Sequence, residues 1–302
     1  MPLTVGIVGA GSMGREHLRQ LRTLGARVLV WSRRDADAAT AELGGEPVAS
    51  FEELLGAADV VDVTTPTPTH LGYGLAALEA GSHLICEKPL ARTVADAAAL
   101  AAAAEKAGRL LLPAHVVRYF PAYARAKAAV DAGELGRLTR LRFFRGGSYP
   151  RSPWFADHEQ SGGVAMDFII HDLDQARWLA GEVVSVSATR EQGEVAGHPF
   201  ETASVTLTHA NGAESRIDGS WGPPGSGFVT EFALVGERGS LAHSSRDEAE
   251  PAESPYLLQL REFLAAIETG APTRVSPADA VAAVALATAG LESIRTGAPV
   301  TP

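Results

Sequence analysis

Val5-Gly6-Ile7-Val8-Gly9-Ala10-Gly11-Ser12-Met13-Gly14 decides how the rest of this chain is read. A short β-branched run leads straight into Gly-x-Gly-x-x-Gly, and a helix-forming segment, 15–24, follows at once. In a strand–turn–helix unit the three glycines have separate tasks. Gly9 makes the tight turn, Gly11 lets a pyrophosphate approach the backbone, and Gly14 lets helix pack on strand. The pyrophosphate would then meet unpaired N–H groups at a helix N-terminus. The alternative is a glycine-rich turn with no ligand. The position of this motif, between strand and helix, argues for the dinucleotide.

Outward from that unit, strands and helices alternate. Apolar strand candidates lie at 5–8, 28–31, 60–64, 83–86 and 110–114, with helix-like segments at 15–24, 36–43, 51–55, 72–80 and 94–107. This alternation implies a doubly wound parallel sheet. Glycines at 25, 44, 81 and 108 fall where helix C-termini are expected. After about Arg118 the pattern changes. A helix at 123–132 and a strand at 139–144 precede a loop rich in Gly, Pro and aromatics, then a helix near 163–179. Strands follow at 183–190, 201–209, 214–220, 229–235 and 240–242, with a hairpin turn at Asn211-Gly212 and another turn at 222–227. Consecutive strands without helices argue for an antiparallel or mixed sheet. A polar loop at 247–255 and helices at 256–269 and 277–296 complete the chain. The expected division is residues 1–118 and 119–302.

The 302 residues suggest about two domains, and a hydrophobic share of 46% leaves ample core. The net charge of −10, without a basic block, argues against nucleic acid or anionic membrane as partner. The single Cys86 excludes an internal disulfide and suits a reducing compartment. No uncharged apolar run reaches membrane-spanning length, and the first strand begins too early for a signal peptide. A soluble cytoplasmic protein is expected.

Three further stretches carry chemistry. The second strand ends Val30-Trp31-Ser32-Arg33-Arg34. An acidic residue at its end would bind the adenosine ribose and repel a 2′-phosphate; Ser32 stands there instead, followed by two guanidinium groups suited to a phosphate. This favours NADP, with NAD possible. Arg33 and Arg34 could also be solvated surface charges. The fourth sequence-assigned strand ends in Glu87-Lys88-Pro89, at the sheet edge where doubly wound folds bind ligands. Lys88 could there meet nicotinamide and a substrate hydroxyl. Ser161-Gly162-Gly163 leads to Asp167 and His171, spaced i, i+4 and so expected on one helical face. A carboxylate beside an imidazole suits proton transfer. The same spacing also suits a metal, but no further His or Cys completes a ligand set, and no metal is expected. A capping acid and a partly buried histidine would be the bland alternative.

In order and spacing these elements resemble the Gfo/Idh/MocA family, that of glucose–fructose oxidoreductase and inositol dehydrogenase. The resemblance covers nearly the whole chain: the N-terminal glycine motif, Thr65-Pro66-Thr-Pro-Thr-His70, the Ala80–Pro89 stretch, Arg118-Tyr119-Phe-Pro121, and the segment from Ser161 to Asp174. It implies an N-terminal Rossmann domain and a C-terminal α/β domain with a large, mostly antiparallel open sheet. It also implies pyridine-nucleotide redox chemistry on sugars, cyclitols or related polyols, in a homodimer or homotetramer associating through that sheet. Catalytic roles fall on Lys88, Asp167 and His171. Cofactor contacts fall on Gly9, Gly11, Ser12, Met13, Gly14, Ser32, Arg33, Arg34, Thr65, Pro66, His70, Glu87 and Lys88. Contacts to substrate fall on His115, Arg118, Tyr119, Trp154, Asp167, His171 and Asp174; Trp154 could stack on a sugar or be core. Ser32 departs from the acidic residue of many NAD-using members. Competing readings are a non-catalytic dinucleotide-sensing regulator and a dehydrogenase of a biliverdin-like or dihydrodiol substrate.

Overall fold

The computed structural model describes residues 3–247 and 251–302. Part of the loop expected at 247–255 therefore lies outside the described residues. The chain forms two compact units, Met1–Tyr119 with Pro251–Val281, and Phe120–Glu250 with Ala282–Pro302.

The first unit holds β1 (Thr4–Val8), α1 (Ser12–Thr23), β2 (Arg27–Trp31), α2 (Ala36–Leu43), β3 (Glu46–Pro47), α3 (Phe51–Ala57), β4 (Val60–Val63), α4 (His70–Glu79), β5 (His83–Glu87), α5 (Val94–Ala107) and β6 (Leu111–Ala114). Its sheet has the order β3-β2-β1-β4-β5-β6, and every pair is parallel. Helices on both faces bury the central strands completely, which is why β1 and β4 are buried at every position and show no in–out alternation. Only the two-residue β3 escaped the sequence pattern, because it is too short to carry a period.

Local signals set the helix ends. Ser50 accepts from Glu53 N–H while Glu53 accepts from Ala49 N–H, and Thr93 accepts from Asp96 N–H. The glycines expected to end helices adopt left-handed φ, 77° at Gly25 and 62° at Gly108.

The expected boundary at 118/119 needs correction, because a later segment returns to the first unit. There α9 (Pro255–Thr269) places Leu260 and Phe263, both fully buried, in one core with Val5, Leu18, Val28 and Tyr119. Phe263 meets the Tyr119 ring edge-on at 6.3 Å between centroids. A contiguous split from sequence misses this, since chain order does not say which core an amphipathic helix joins.

The second unit contains α6 (Pro121–Asp131), β7 (Leu138–Ser148), the single turn α7 (His158–Ser161), α8 (Ile170–Ala180), β8 (Val183–Val195), β9 (His198–His209), β10 (Glu214–Gly222), β11 (Val229–Gly236) and β12 (Ser240–Ser244). The sheet order is β12-β11-β7-β10-β9-β8, antiparallel except where β10 runs parallel to β7. Along β10 the side chains alternate. Ser215, Ile217 and Trp221 are buried, whereas Glu214, Arg216 and Asp218 face outward. Gly212 (φ 83°) closes the hairpin expected at Asn211-Gly212.

The last helix, α10 (Pro277–Thr296), is long and apolar enough to cross a membrane by length and composition alone. It behaves as a core helix: Ala280, Ala283, Val284 and Ala287 are buried, and Ser293 Oγ accepts from Ala188 N–H at 2.9 Å.

Candidate functional site

The glycine turn is built by close packing. A Cβ on Gly14 would lie 1.9 Å from the Gly9 carbonyl oxygen, so α1 reaches the turn only because that atom is missing. Gly9 takes φ 109°. Its N–H donates to the Trp31 carbonyl at 2.9 Å, and Thr64 Oγ1 donates to the Gly9 carbonyl at 2.9 Å. The turn is thus tied to the ends of both neighbouring strands. Gly11 has nothing within 4 Å of its would-be Cβ, and no side chain caps the N-terminus of α1. Open space beside uncapped N–H groups fits a dinucleotide pyrophosphate. Gly11 and Ser12 are exposed and Met13 half-buried around it.

Beyond β2, residues Trp31 to Asp37 and Pro47 to Ala49 line a cavity of about 460 Å³. Arg33 and Arg34 are exposed there, and the Arg34 N–H donates to Ser32 Oγ at 3.4 Å. Asp35 and Asp37 line the same cavity. A phosphate fits the two guanidinium groups, and the adjacent carboxylates oppose it.

At the same carboxyl edge, β5 ends in Glu87 and the half-buried Lys88 begins the next turn; the Lys88–Pro89 peptide is cis. His70 braces that turn. Its Nδ1 lies 2.9 Å from the Pro89 carbonyl and its Nε2 2.7 Å from the Thr65 carbonyl. Both ring nitrogens face backbone carbonyls, so His70 shapes the Thr65–Pro66 loop. Burial outweighs those bonds and lowers its pKa.

Glu87, expected at the cofactor, turns its carboxylate inward. Oε2 accepts the Lys88 N–H at 3.0 Å and Oε1 lies 3.3 Å from His17 Nε2. His17 Nδ1 is 2.8 Å from Asp62 Oδ2. His17 and Asp62 side chains are fully buried and Glu87 is 8% exposed. Burial alone would lower the His17 pKa, but Asp62 first and Glu87 second raise it to about 10. Burial pulls the Glu87 pKa upward, yet His17 and Lys88 hold it below its usual 4.5. The sequence reading missed this trio. Its signals were a histidine three residues past Gly14 and a carboxylate inside the apolar run Val60-Val-Asp62-Val63.

Two residues expected to contact substrate are buried and bonded within this unit. Arg118 is 1% exposed; its Nη1 donates to the Arg274 carbonyl at 2.9 Å, and Arg274 Nη1 donates to the Arg118 carbonyl at 3.0 Å. Asp279 lies 3.3 Å from the same Arg118 nitrogen. Tyr119 is equally buried, donating its hydroxyl to Glu262 at 2.8 Å beneath the Arg274 guanidinium. Both bond to the segment that returns to this unit. His115 is also buried, at 1% exposure.

In the second unit the segment carrying Asp167 and His171 is not one α-helix. Val164–Phe168 forms a π-turn, in which Ile169 N–H reaches back five residues to the Val164 carbonyl, and α8 starts at Ile170. The expectation of a shared α-helical face is therefore corrected. The cause is packing. Gly163 (φ 63°) precedes the turn, Glu201 Oε1 accepts the Val164 N–H at 2.9 Å, and Val164 and Ile169 press on Gly219 where a Cβ would not fit. Such π-turns recur at functional positions. Asp167 is 7% exposed, Asp174 2%, and His171 half-buried. Next to His171, Asp172 forms a buried two-pronged pair with Arg145, at 2.6 and 3.1 Å. Trp154 stacks on Phe155, ring centroids 4.0 Å apart, and is half-buried. Among the described residues no group of three or more His, Cys, Asp or Glu is arranged to hold a metal ion.

The His17 trio sets a stability window. A histidine whose folded pKa is raised stabilises fully below its unfolded value, near 6.5, and loses that effect as pH climbs towards about 10. Glu87, held below 4.5, contributes above that value and loses its effect as pH falls. Urea unfolding from pH 6.5 to 10 should therefore show the parent losing stability faster than His17→Gln. Parallel pH profiles would remove the buried imidazolium.

Comparison with known proteins agrees with this architecture. The family model described as "Oxidoreductase family, NAD-binding Rossmann fold" matches residues 3–115, and "GFO/IDH/MocA C-terminal domain" matches 123–242. Inositol 2-dehydrogenase 1 of Saccharopolyspora erythraea is 33% identical over 99% of this chain and 96% of its own. Inositol 2-dehydrogenase of Ralstonia nicotianae is 31% identical over the same shares. The crystal structure of GenD2 from gentamicin A biosynthesis, in complex with NAD, has a TM-score of 0.89 at 26% identity, covering 100% of this chain and 96% of that one. With both family models matched in order along the parallel and mixed sheets, the chain belongs to the Gfo/Idh/MocA family of oxidoreductases.

Proposed function

We propose that this oxidoreductase moves hydride between NADP and a secondary alcohol or ketone of a sugar, cyclitol or related polyol. The observation that carries the proposal is a lysine held at the carboxyl edge of the parallel sheet that also bears the open glycine turn. The relatives named inositol 2-dehydrogenase support the substrate class. Nicotinamide, when bound, supplies the redox step. The chain's own groups supply position and proton transfer. His171 takes the hydroxyl proton in oxidation and returns it in reduction; Asp167 orients the imidazole and stabilises its cation. Lys88 hydrogen-bonds the reacting oxygen and stabilises its alkoxide character. Exchange of Lys88 for Met, or His171 for Ala, should cut turnover about a hundred- to ten-thousandfold while dinucleotide still binds. Near-normal turnover of both on a polyol that the parent oxidises would place the chemistry elsewhere.

The preference for NADP rests on Ser32, Arg33 and Arg34 around the cavity after β2. Arg33→Ala should weaken NADP roughly ten- to a hundredfold and leave NAD nearly unchanged. Tighter NAD than NADP in the parent, the result expected if Asp35 or Asp37 dominates the cavity, would reverse the assignment.

We also propose a homodimer or homotetramer formed through the outward face of the second sheet. That face bears Arg142, Arg216, Asp218 and Glu231 around a depression of about 900 Å³. Its charges of both signs suit a self-complementary contact. Light scattering at micromolar concentration should give a mass above one chain; a clean monomer refutes the assembly.

A further inference from the structure

We infer that His17 is a positioning residue for Lys88: it bridges Asp62 and Glu87 in the interior, and Glu87 holds the Lys88 backbone with its other oxygen. The inference rests on the reading of Lys88 as the group at the reacting oxygen. Both ring nitrogens of His17 face carboxylate oxygens, Nδ1 at 2.8 Å from Asp62 and Nε2 at 3.3 Å from Glu87. Asp62 accepts from Nδ1–H, whereas the Nε2–Glu87 contact lacks hydrogen-bond geometry and is an ion pair, held by the positive charge of the ring. The elevated pKa of His17 agrees. Removing one partner of such a buried group strands the other's charge, so the arrangement resists loosening.

The consequence reaches Lys88 through one residue. Glu87 Oε1 points to His17 and Oε2 accepts the Lys88 N–H at 3.0 Å, so the carboxylate cannot turn without releasing one of them. His70 secures the far side of the turn through the Pro89 carbonyl. His17 itself sits one turn into α1, below Gly14. The helix that presents its N-terminus to the dinucleotide turn therefore also anchors the lysine turn. Asp62 on β4 fixes the ring between them.

Purely structural and positioning roles separate in a measurement on Lys88 itself, and this chain suits it because it contains only three lysines, at 88, 106 and 127. Reductive methylation of the intact protein with ¹³C-formaldehyde gives each lysine an NMR signal, and Lys88→Arg assigns the one from Lys88. His17→Asn keeps an amide near the Nδ1 position, towards Asp62, and leaves Glu87 without a neighbour on that side. His17→Gln reaches the Nε2 position and places an amide beside Glu87. The Lys88 signal should shift or broaden in His17→Asn and in Glu87→Gln, and return towards the parent in His17→Gln, while Lys106 and Lys127 stay in place. Glu87→Gln leaves His17 paired with Asp62 and so decides the matter if His17→Asn does not fold. An unchanged Lys88 signal in folded Glu87→Gln or His17→Asn overturns the inference. The reading of Lys88 stands or falls separately, on the turnover of Lys88→Met. With that reading intact, His17→Asn should lower turnover about ten- to a hundredfold at unchanged dinucleotide affinity, as misplacement of a reacting group does.

Discussion

Backbone contact at Gly14 is the constraint on which the first unit is built. With 1.9 Å between a would-be Cβ and the Gly9 carbonyl, the helix and the turn approach to a distance that only glycine allows. That approach aims the uncapped N-terminus of α1 into open space, and it carries His17 down to Asp62 and Glu87. From Glu87 the connection passes to the Lys88 turn. A short chain of contacts thus runs from the dinucleotide turn to the lysine, each link either a hydrogen bond or a buried ion pair.

The second unit solves a similar problem with a different device. Its open sheet is covered on one face, and the side chains proposed for proton transfer stand on a π-turn and the helix that follows it. A buried carboxylate again does the anchoring: Glu201 accepts from Val164 N–H, as Glu87 does from Lys88 N–H. Arg145 and Asp172 pin the start of α8. In both units a carboxylate inside the protein is offset by a backbone N–H and a histidine ring, and in return it fixes backbone beside a candidate site residue.

The burial of Arg118 and Tyr119 shows how chain order misleads. Both lie just after β6, and the family resemblance implies that they contact substrate. The segment 251–281 returns to cover them, and Glu262, Arg274 and Asp279 take up their polar groups. No local pattern near position 118 announces a partner some 150 residues later, as the separation of 156 between Arg118 and Arg274 illustrates.

By itself the sequence determined the elements and their type. Period, β-branching and helix punctuation placed nearly every strand and helix, because those preferences are local and need no partner. The same text located the glycine turn, Lys88, and the Asp167–His171 segment, since their chemistry is tied to strand ends and spacing. Tertiary structure alone decided where each polar side chain turns. It sent Glu87 inward to His17, tied His70 to backbone, widened the helix at Val164–Phe168, and returned α9 to the first core. These outcomes depend on which surfaces meet across long separations, and on the cost of leaving a buried charge without a donor.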